Sequence, residues 1–316
     1  MDQRIHPANQ GKFRDPHRTV DGAQRAQVAL SNARTLWFNT GTLCNITCVN
    51  CYIESSPSND RLVYMATDEV VDFLDQIDAR AWPVEEIGFT GGEPFMNPDI
   101  IAMIEAALAR GYRVLVLTNA MAPMMRPKVQ AGLLALREAH GDRLCLRVSL
   151  DHWQGARHDA IRGRGSFEKT LAGMRWLADH GFNMAVAGRA LWEISEADSR
   201  AAYGAFFAEN NFKIDAQDPG QTVLFPEMDE SVEVPEITTA CWDILGKSPD
   251  QVMCASSRMV VKRKGAARPA VLACTLLAYD RRFELGASLQ EAEGAVALNH
   301  PHCAKFCVLG GAACSL

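Results

Sequence analysis

From residue 34 to residue 226, short apolar runs with strand character alternate with longer stretches at helical spacing. Six runs read as strands: "RTLWFN" (34–39), "EEIGFT" (85–90), "YRVLVLT" (112–118), "RLCLRVSL" (143–150), "NMAVAGRA" (183–190) and "QTVLFP" (221–226). The stretches between them carry helix signals. Thr67 is placed to cap "DEVVDFLDQIDA", which puts acids in the first turn. Asn97-Pro98 reads as the opening of "DIIAMIEAALAR", with Pro98 at the first helical position. Ser166 opens "FEKTLAGMRWLADH" and Gly181 ends it. Ser195 with Asp198 forms a capping-box pattern before "SRAAYGAFFAE".

Strands alternating with helices imply parallel strands joined by right-handed crossovers, an α/β fold. Six such units are too few for a closed eight-unit barrel, which takes about 250 residues. The pattern therefore favours a partial (β/α)6 TIM-like barrel, open on one side. A doubly wound open sheet is the competing arrangement, because periodicity does not separate the two. Residues 1–34 are polar and mixed and read as an arm, residues 35–235 as the barrel. From residue 236 the pattern breaks up. Short β-like pieces ("RMVVKRKG", "AVLAC") replace long helices, and the segment 236–316 reads as a small α+β module held by metal rather than by a large core.

Composition narrows the class. With 48% hydrophobic and 22% charged residues, the 316-residue chain has ample core material. Its formal net charge of -6 argues against a general nucleic-acid surface, and the basic run Lys262-Arg263-Lys264 reads as a solvated turn. No stretch reaches the roughly 20 apolar residues that span a bilayer, and "MDQRIHPANQGKFRDPHR" lacks the apolar core of a secretory signal. A cytoplasmic protein is the expectation. In a reducing compartment ten cysteines point to metal or redox chemistry rather than structural disulfides.

The most concentrated chemistry is "GTLCNITCVNCYIESSP" (41–57), just after the first strand, where α/β folds place their sites. Cys44, Cys48 and Cys51 form a C-x3-C-x2-C loop. Three thiols this close suit an iron–sulfur cubane, which normally takes four thiolates, so one iron would be left for another ligand. A zinc site completed by a His or a distant Cys is the alternative, as are simple unligated thiols.

"CNITCVNCY" together with "FTGGEPFMNP" (89–98) resembles the radical S-adenosylmethionine (radical SAM) superfamily. The resemblance implies that Cys44, Cys48 and Cys51 bind a [4Fe–4S] cluster whose open iron is chelated by the amino and carboxylate groups of S-adenosylmethionine. It assigns Gly91, Gly92 and Glu93 to the cofactor's methionyl end. The two glycines would let backbone approach a ligand closely, and Glu93 would supply a negative partner or fix the turn. Asn119, in "LTNAM", and Ser149 fall at positions near the cofactor. The run "VSLDHWQGARHDAIRGRGSFEKTL" (148–171) resembles the SPASM and twitch branch of the superfamily. Within it, Asp151 would act at the cofactor or face substrate, while His158, Asp159 and Arg162 read as a structural polar network and His152 as a partly exposed strand-end residue. Arg189 is a carboxylate partner by its chemistry; Glu227 and Asp229 are weaker site candidates. One departure stands out: the residue before the third cysteine is often aromatic in the family, and here it is Asn50, which would have to meet the adenine by hydrogen bonding.

The later cysteines resemble the auxiliary-cluster modules of the same branch, with altered spacings. Cys254, Cys274, Cys303, Cys307 and Cys314 suffice for one further [4Fe–4S] cluster, with a zinc knuckle as the alternative. Cys145 and Cys241 read as core thiols. The resemblance implies reductive cleavage of S-adenosylmethionine to a 5'-deoxyadenosyl radical that abstracts hydrogen from a small-molecule or peptide substrate. The auxiliary cluster would assist oxidation or bind substrate. An electron donor such as flavodoxin or ferredoxin is implied as a partner, with no nucleic acid and no membrane. Radical adenosyl transfer and a non-catalytic iron–sulfur or zinc scaffold are the alternatives.

Overall fold

The computed structural model describes residues 11–190, 193–226 and 233–311. Its six central strands coincide with the six apolar runs: β2 (Thr35–Asn39), β3 (Glu86–Thr90), β4 (Arg113–Thr118), β5 (Leu144–Ser149), β6 (Asn183–Arg189) and β7 (Thr222–Phe225). Each pairs in parallel with the next, in chain order. Over these six strands the order does not reverse, as it would at the switch point of a doubly wound sheet. The helices between the strands are α1 (Thr67–Arg80), α2 (Ile100–Ala109), α3 (Pro127–His140), α4 (Gly155–Arg162), α5 (Ser166–Asp179) and α6 (Glu196–Glu209).

The alternation of strand residues explains the layering. Leu36, Phe38, Ile87, Phe89, Val114, Val116, Leu146 and Val148 face the helices and join one large buried cluster. Trp37 and Leu115 point the other way, into a second cluster shared with the C-terminal segment. Trp37 fills that interior so tightly that a Cβ at Gly88 would stand 2.3 Å from its ring.

The segment after residue 236 continues the same sheet. Strand β8 (Ser257–Val261) runs parallel beside β2, with Thr35 opposite Ser257. Strand β9 (Ala270–Leu272) and then β10 (Glu284–Gly286) add antiparallel at that edge, so the sheet has nine strands in the order β10-β9-β8-β2-β3-β4-β5-β6-β7. A short helix α7 (Cys241–Leu245) precedes these strands. The arm packs onto this segment: β1 (Gln27–Val28) pairs with β11 (Val296–Ala297). Arg25, 2% exposed, donates to the backbone carbonyls of Asp15, Arg18 and Leu298 and pairs with Glu236 at 2.5 Å.

Two helix starts differ from the expectation. Thr67 already lies inside α1; the cap is Ala66, in extended conformation, and Glu69 reaches back to accept its N–H at 2.9 Å. Helix α2 begins at Ile100, after a 3-10 turn at Pro94–Met96, because Asn97 is engaged elsewhere. Its buried amide donates to the carbonyls of Thr40 (3.0 Å) and Met65 (2.9 Å), tying the end of β2 to the start of α1. Ser195 caps α6 as read, accepting from the Asp198 N–H at 3.1 Å. No described helix is long and apolar enough to cross a membrane.

Candidate functional site

Parallel register brings the C-terminal ends of the strands side by side: Asn39 opposite Thr90, Thr118 opposite Val148, Ser149 opposite Ala187, Arg189 opposite Phe225. A cleft opens along this edge. Cys44, Cys48, Asn50 and Cys51 line it with Gly91, Gly92, Asn119, Ser149 and Arg189, so seven strand-end and loop positions singled out in the sequence, together with two glycines, share one cavity. Thr90, Thr118 and Tyr52, which the sequence did not mark, line it too.

The cysteine loop is held by backbone. The Cys44 N–H donates to Ser56 O (3.0 Å), Thr42 N–H to Leu62 O (3.0 Å), and Val49 N–H to Ile161 O at the end of α4 (2.8 Å). The glycine pair serves this loop directly. Gly92 N–H donates to Gly41 O at 2.8 Å and Glu93 N–H to Leu43 O at 3.1 Å. A Cβ at Gly91 would lie 2.5 Å from Gly41 O, and one at Gly92 2.2 Å from Leu43 O. The close approach these glycines permit is therefore to the backbone of the cysteine loop as well as to the cleft.

Glu93 does not line the cleft. It is 2% exposed, and its carboxylate accepts from Thr118 Oγ1 (2.8 Å), Asn119 N–H (2.8 Å) and Phe95 N–H (3.2 Å). Burial pushes its carboxyl up to about 7 against the pull of these donors. Of the two roles open to it, the one visible here is fixing the turn and clamping the ends of β3 and β4. Asn119, set by that clamp, donates from its side chain to Asn45 Oδ1 (2.9 Å) and approaches Cys44 Sγ at 3.9 Å.

Asn50 has a conformational reason. Its φ is 56°, in the left-handed region where asparagine is enriched and bulky side chains are penalised. It is exposed at the cleft edge.

The expected polar network of α4 divides into three parts. Asp159 caps α5, accepting from Gly165 N–H (2.6 Å), Phe167 N–H (2.8 Å) and Ser166 Oγ (3.0 Å). His158 is fully buried against Phe167, with no hydrogen-bond partner on either ring nitrogen. Arg162 turns into the cleft and binds Asp151, Nε to Oδ2 at 2.7 Å and Nη2 to Oδ1 at 3.3 Å. Arg189 approaches the same carboxylate at 3.5 Å and donates to Val49 O at 3.1 Å. Burial pushes the Asp151 carboxyl up, and the two guanidiniums outweigh it and hold it below the usual range. His152 is not partly exposed as expected: it is buried, because its ring stacks on Trp153. Glu227, Asp229 and Cys314 lie outside the described residues.

The donor set suits a cluster. Cys44, Cys48 and Cys51 are free thiols facing one cleft. Burial pushes the Cys44 thiol up to about 12, and pushes Cys48 up against the pull of Arg162. Among the described residues no three Cys, His, Asp or Glu side chains converge on a single ion. Three thiols on one short loop suit a cubane, which spreads its thiolates over several irons. The remaining lining mixes a few polar groups with apolar walls (Ile53, Leu117, Leu276, Phe225 and Phe306), as small-molecule sites do.

On the open side, Phe225 at the end of β7 stacks on Phe306, with centroids 5.5 Å apart. Phe306 belongs to a π-helical turn, Cys303–Leu309. Cys254 and Cys303 are buried in the apolar cluster that lines this region, and Cys274 and Cys307 pack against it. Burial, then the neighbouring Cys274 thiol, raises Cys254 to about 12; burial, Cys274 and Cys254 together raise Cys303. These three thiols therefore stand within electrostatic reach of one another. Cys145 lies half-buried in β5, and Cys241 begins α7, its sulfur accepting from the Thr238 N–H at 3.4 Å.

Parallel strands in chain order, with three cysteines and a Gly-Gly-Glu-Pro turn at their C-terminal ends, define a class. Residues 38–189 of the chain match the radical SAM superfamily. It is 33% identical over 192 residues to an AdoMet-dependent heme synthase of Methanosarcina barkeri, covering 57% of this chain and 52% of that one. It is 31% identical over 158 residues to the antilisterial bacteriocin subtilosin biosynthesis protein AlbA of Bacillus subtilis, covering 48% and 33%. The matched part thus spans about half or less of these relatives' own length. The fold is also that of Streptococcus suis SuiB in its S-adenosylmethionine-bound structure, with a TM-score of 0.57 and 14% identity over 81% of this chain and 64% of that one. AdoMet-bound anSMEcpe gives 0.55 and 14% over 82% and 80%.

Proposed function

We propose that this chain is a radical SAM enzyme of the SPASM and twitch branch, holding one cluster on Cys44, Cys48 and Cys51 and an auxiliary one in its C-terminal segment. The observation that carries the reading is the meeting of those three thiols with Gly91, Gly92, Asn119, Ser149 and Arg189 in a single cleft. The cluster, when bound, supplies the electron that cleaves S-adenosylmethionine reductively and so generates a radical able to take hydrogen from unactivated carbon.

The chain's own groups divide the remaining work. The glycine pair and Glu93 hold the cysteine loop against the ends of β3 and β4. Arg189 and Arg162 bring two guanidiniums against one carboxylate, leaving cationic character for a carboxylate of S-adenosylmethionine. Ser149 and Asn119 offer hydrogen bonds in the same cavity, and Asn50 does so at its edge. The apolar wall of Leu276, Phe225 and Phe306 excludes water from the substrate side.

The auxiliary cluster falls to Cys254, Cys274, Cys303 and Cys307, with Cys314 as the further candidate. The proposed division is an arm (1–34), a barrel (35–235) and a cluster-bearing segment (236–316), the last two sharing the nine-stranded sheet. The substrate is a small molecule or a peptide, in line with relatives named for heme synthesis and for bacteriocin biosynthesis. Flavodoxin or ferredoxin is the proposed electron donor, and the cytoplasm the proposed compartment.

Anaerobic reconstitution tests the reading. The chain is expected to take up about eight irons if both clusters are [4Fe–4S]. Dithionite with S-adenosylmethionine should then release 5'-deoxyadenosine, and Cys44→Ala should not. Stoichiometric zinc without that release would refute it.

A further inference from the structure

The Asp151–Arg162 pair is built more firmly than a surface ion pair, and it stands beside the cysteine loop. Asp151 is 4% exposed, and Arg162 grips it through two nitrogens, at 2.7 and 3.3 Å. The residue before Arg162 accepts a backbone hydrogen bond from the residue after Cys48 (Val49 N–H to Ile161 O, 2.8 Å). Arg189 holds the carbonyl of that same Val49 at 3.1 Å while facing Asp151. Cys48, Cys51, Asp151, Arg162 and Arg189 all line the cleft. The loop that carries the three thiols is thus docked on the element that carries Arg162. Charges fixed next to an iron–sulfur cluster set its reduction potential, together with hydrogen bonds and solvent exposure.

We propose that Arg162, fixed in place by Asp151, tunes the reduction potential of the cluster held by Cys44, Cys48 and Cys51, and that the two residues act on it with opposite signs. The inference rests on the assignment of those thiols to a cluster. A positive charge beside the cluster favours its reduced, more negative form; a negative charge disfavours it. Both residues take part in the same ion pair, so a purely structural role would make their loss damaging in the same direction. An electrostatic role separates them.

The test is an EPR-monitored redox titration of the reconstituted full-length protein without S-adenosylmethionine, with iron content measured on each sample. At the potential where the wild-type cluster is half reduced, Arg162→Gln should lower the reduced-to-oxidised ratio. The expected factor is about tenfold, the scale of a unit charge roughly 10 Å away at an effective dielectric near 20, equal to about 59 mV for one electron. Asp151→Asn should raise the ratio, and Arg162→Lys, which keeps the charge, should leave it within about threefold of wild type. Shifts of the same sign in Arg162→Gln and Asp151→Asn, or no shift in either, overturn the inference. If Arg162→Gln does not assemble a cluster, Asp151→Asn decides: a ratio at or below wild type overturns it. Failure of the wild-type chain to take up iron would instead strike at the cluster assignment itself.

Discussion

Gly92→Ala tests the most specific contact in the site. The added Cβ would stand 2.2 Å from Leu43 O, 2.6 Å from Leu43 C and 2.6 Å from Thr42 O, all of them backbone atoms. Ordinary contact begins at 3.4 Å, so the two loops must separate by about 1 Å. That movement strains the bonds that join them, Gly92 N–H to Gly41 O at 2.8 Å and Glu93 N–H to Leu43 O at 3.1 Å. Overpacking of this kind costs about 1–3 kcal/mol, and two weakened hydrogen bonds add about 1 kcal/mol each. The expected loss is about 3–5 kcal/mol, read as a shift of the urea midpoint at unchanged slope. Iron retained after desalting should fall in parallel, because the displaced loop carries Cys44. Gly204→Ala is the control: it lies within α6, and its Cβ would meet nothing nearer than Ala216 Cβ at 3.6 Å. That variant should gain up to about 1 kcal/mol from helix propensity. A Gly92→Ala protein with the wild-type midpoint and wild-type iron would refute the reasoning.

Three further outcomes are expected. Burial depresses His158 to about 4 from an ordinary 6.5, so the unfolded chain takes up its proton first, and this part of the stability is present above pH 6.5 and lost as pH falls toward 4. Between pH 7 and pH 4.5, His158→Phe should therefore lose about 2–3 kcal/mol less than wild type in denaturant titrations; equal losses would show that the histidine is not held neutral. Changing Cys254 and Cys274 together to Ala should remove about half of the reconstituted iron while leaving 5'-deoxyadenosine release detectable, as a four-iron auxiliary cluster requires. Phe306→Ala, which deletes a 2%-exposed ring stacked on Phe225, should destabilise by about 3–5 kcal/mol, and Phe306→Leu by less than half of that, both by thermal unfolding.

The six strands were legible because each is a short apolar run bounded by a helix signal, and burial on both faces removes any need for polar alternation. The helix starts were less so. Thr67 has the right chemistry for a cap, but Glu69 bonds the Ala66 N–H and moves the start by one residue. Asn97 looked like a local helix signal, while its side chain binds Thr40 and Met65, distant in sequence. Arg162 read as part of a local network because His158, Asp159 and Arg162 are neighbours along the chain. On α4 they diverge, one into the core, one onto the next helix and one into the cleft.

What the sequence by itself determined is the chemistry and its approximate address. Three cysteines at short spacing and a Gly-Gly-Glu-Pro turn are local patterns, each sited just beyond a recognisable strand, and local patterns survive without knowledge of the fold. What the tertiary structure decided is which groups meet. The ordering of β2 to β7 as neighbours in one parallel sheet comes from hydrogen-bond register. The union of residues 257–261 with the barrel sheet comes from pairing across more than two hundred residues. The placement of Arg162 against Asp151 comes from the return of α4 to the cleft, and that of Gly92 against Leu43 from packing between loops. None of these pairings leaves a periodic or compositional trace, because each depends on how separate elements pack against one another.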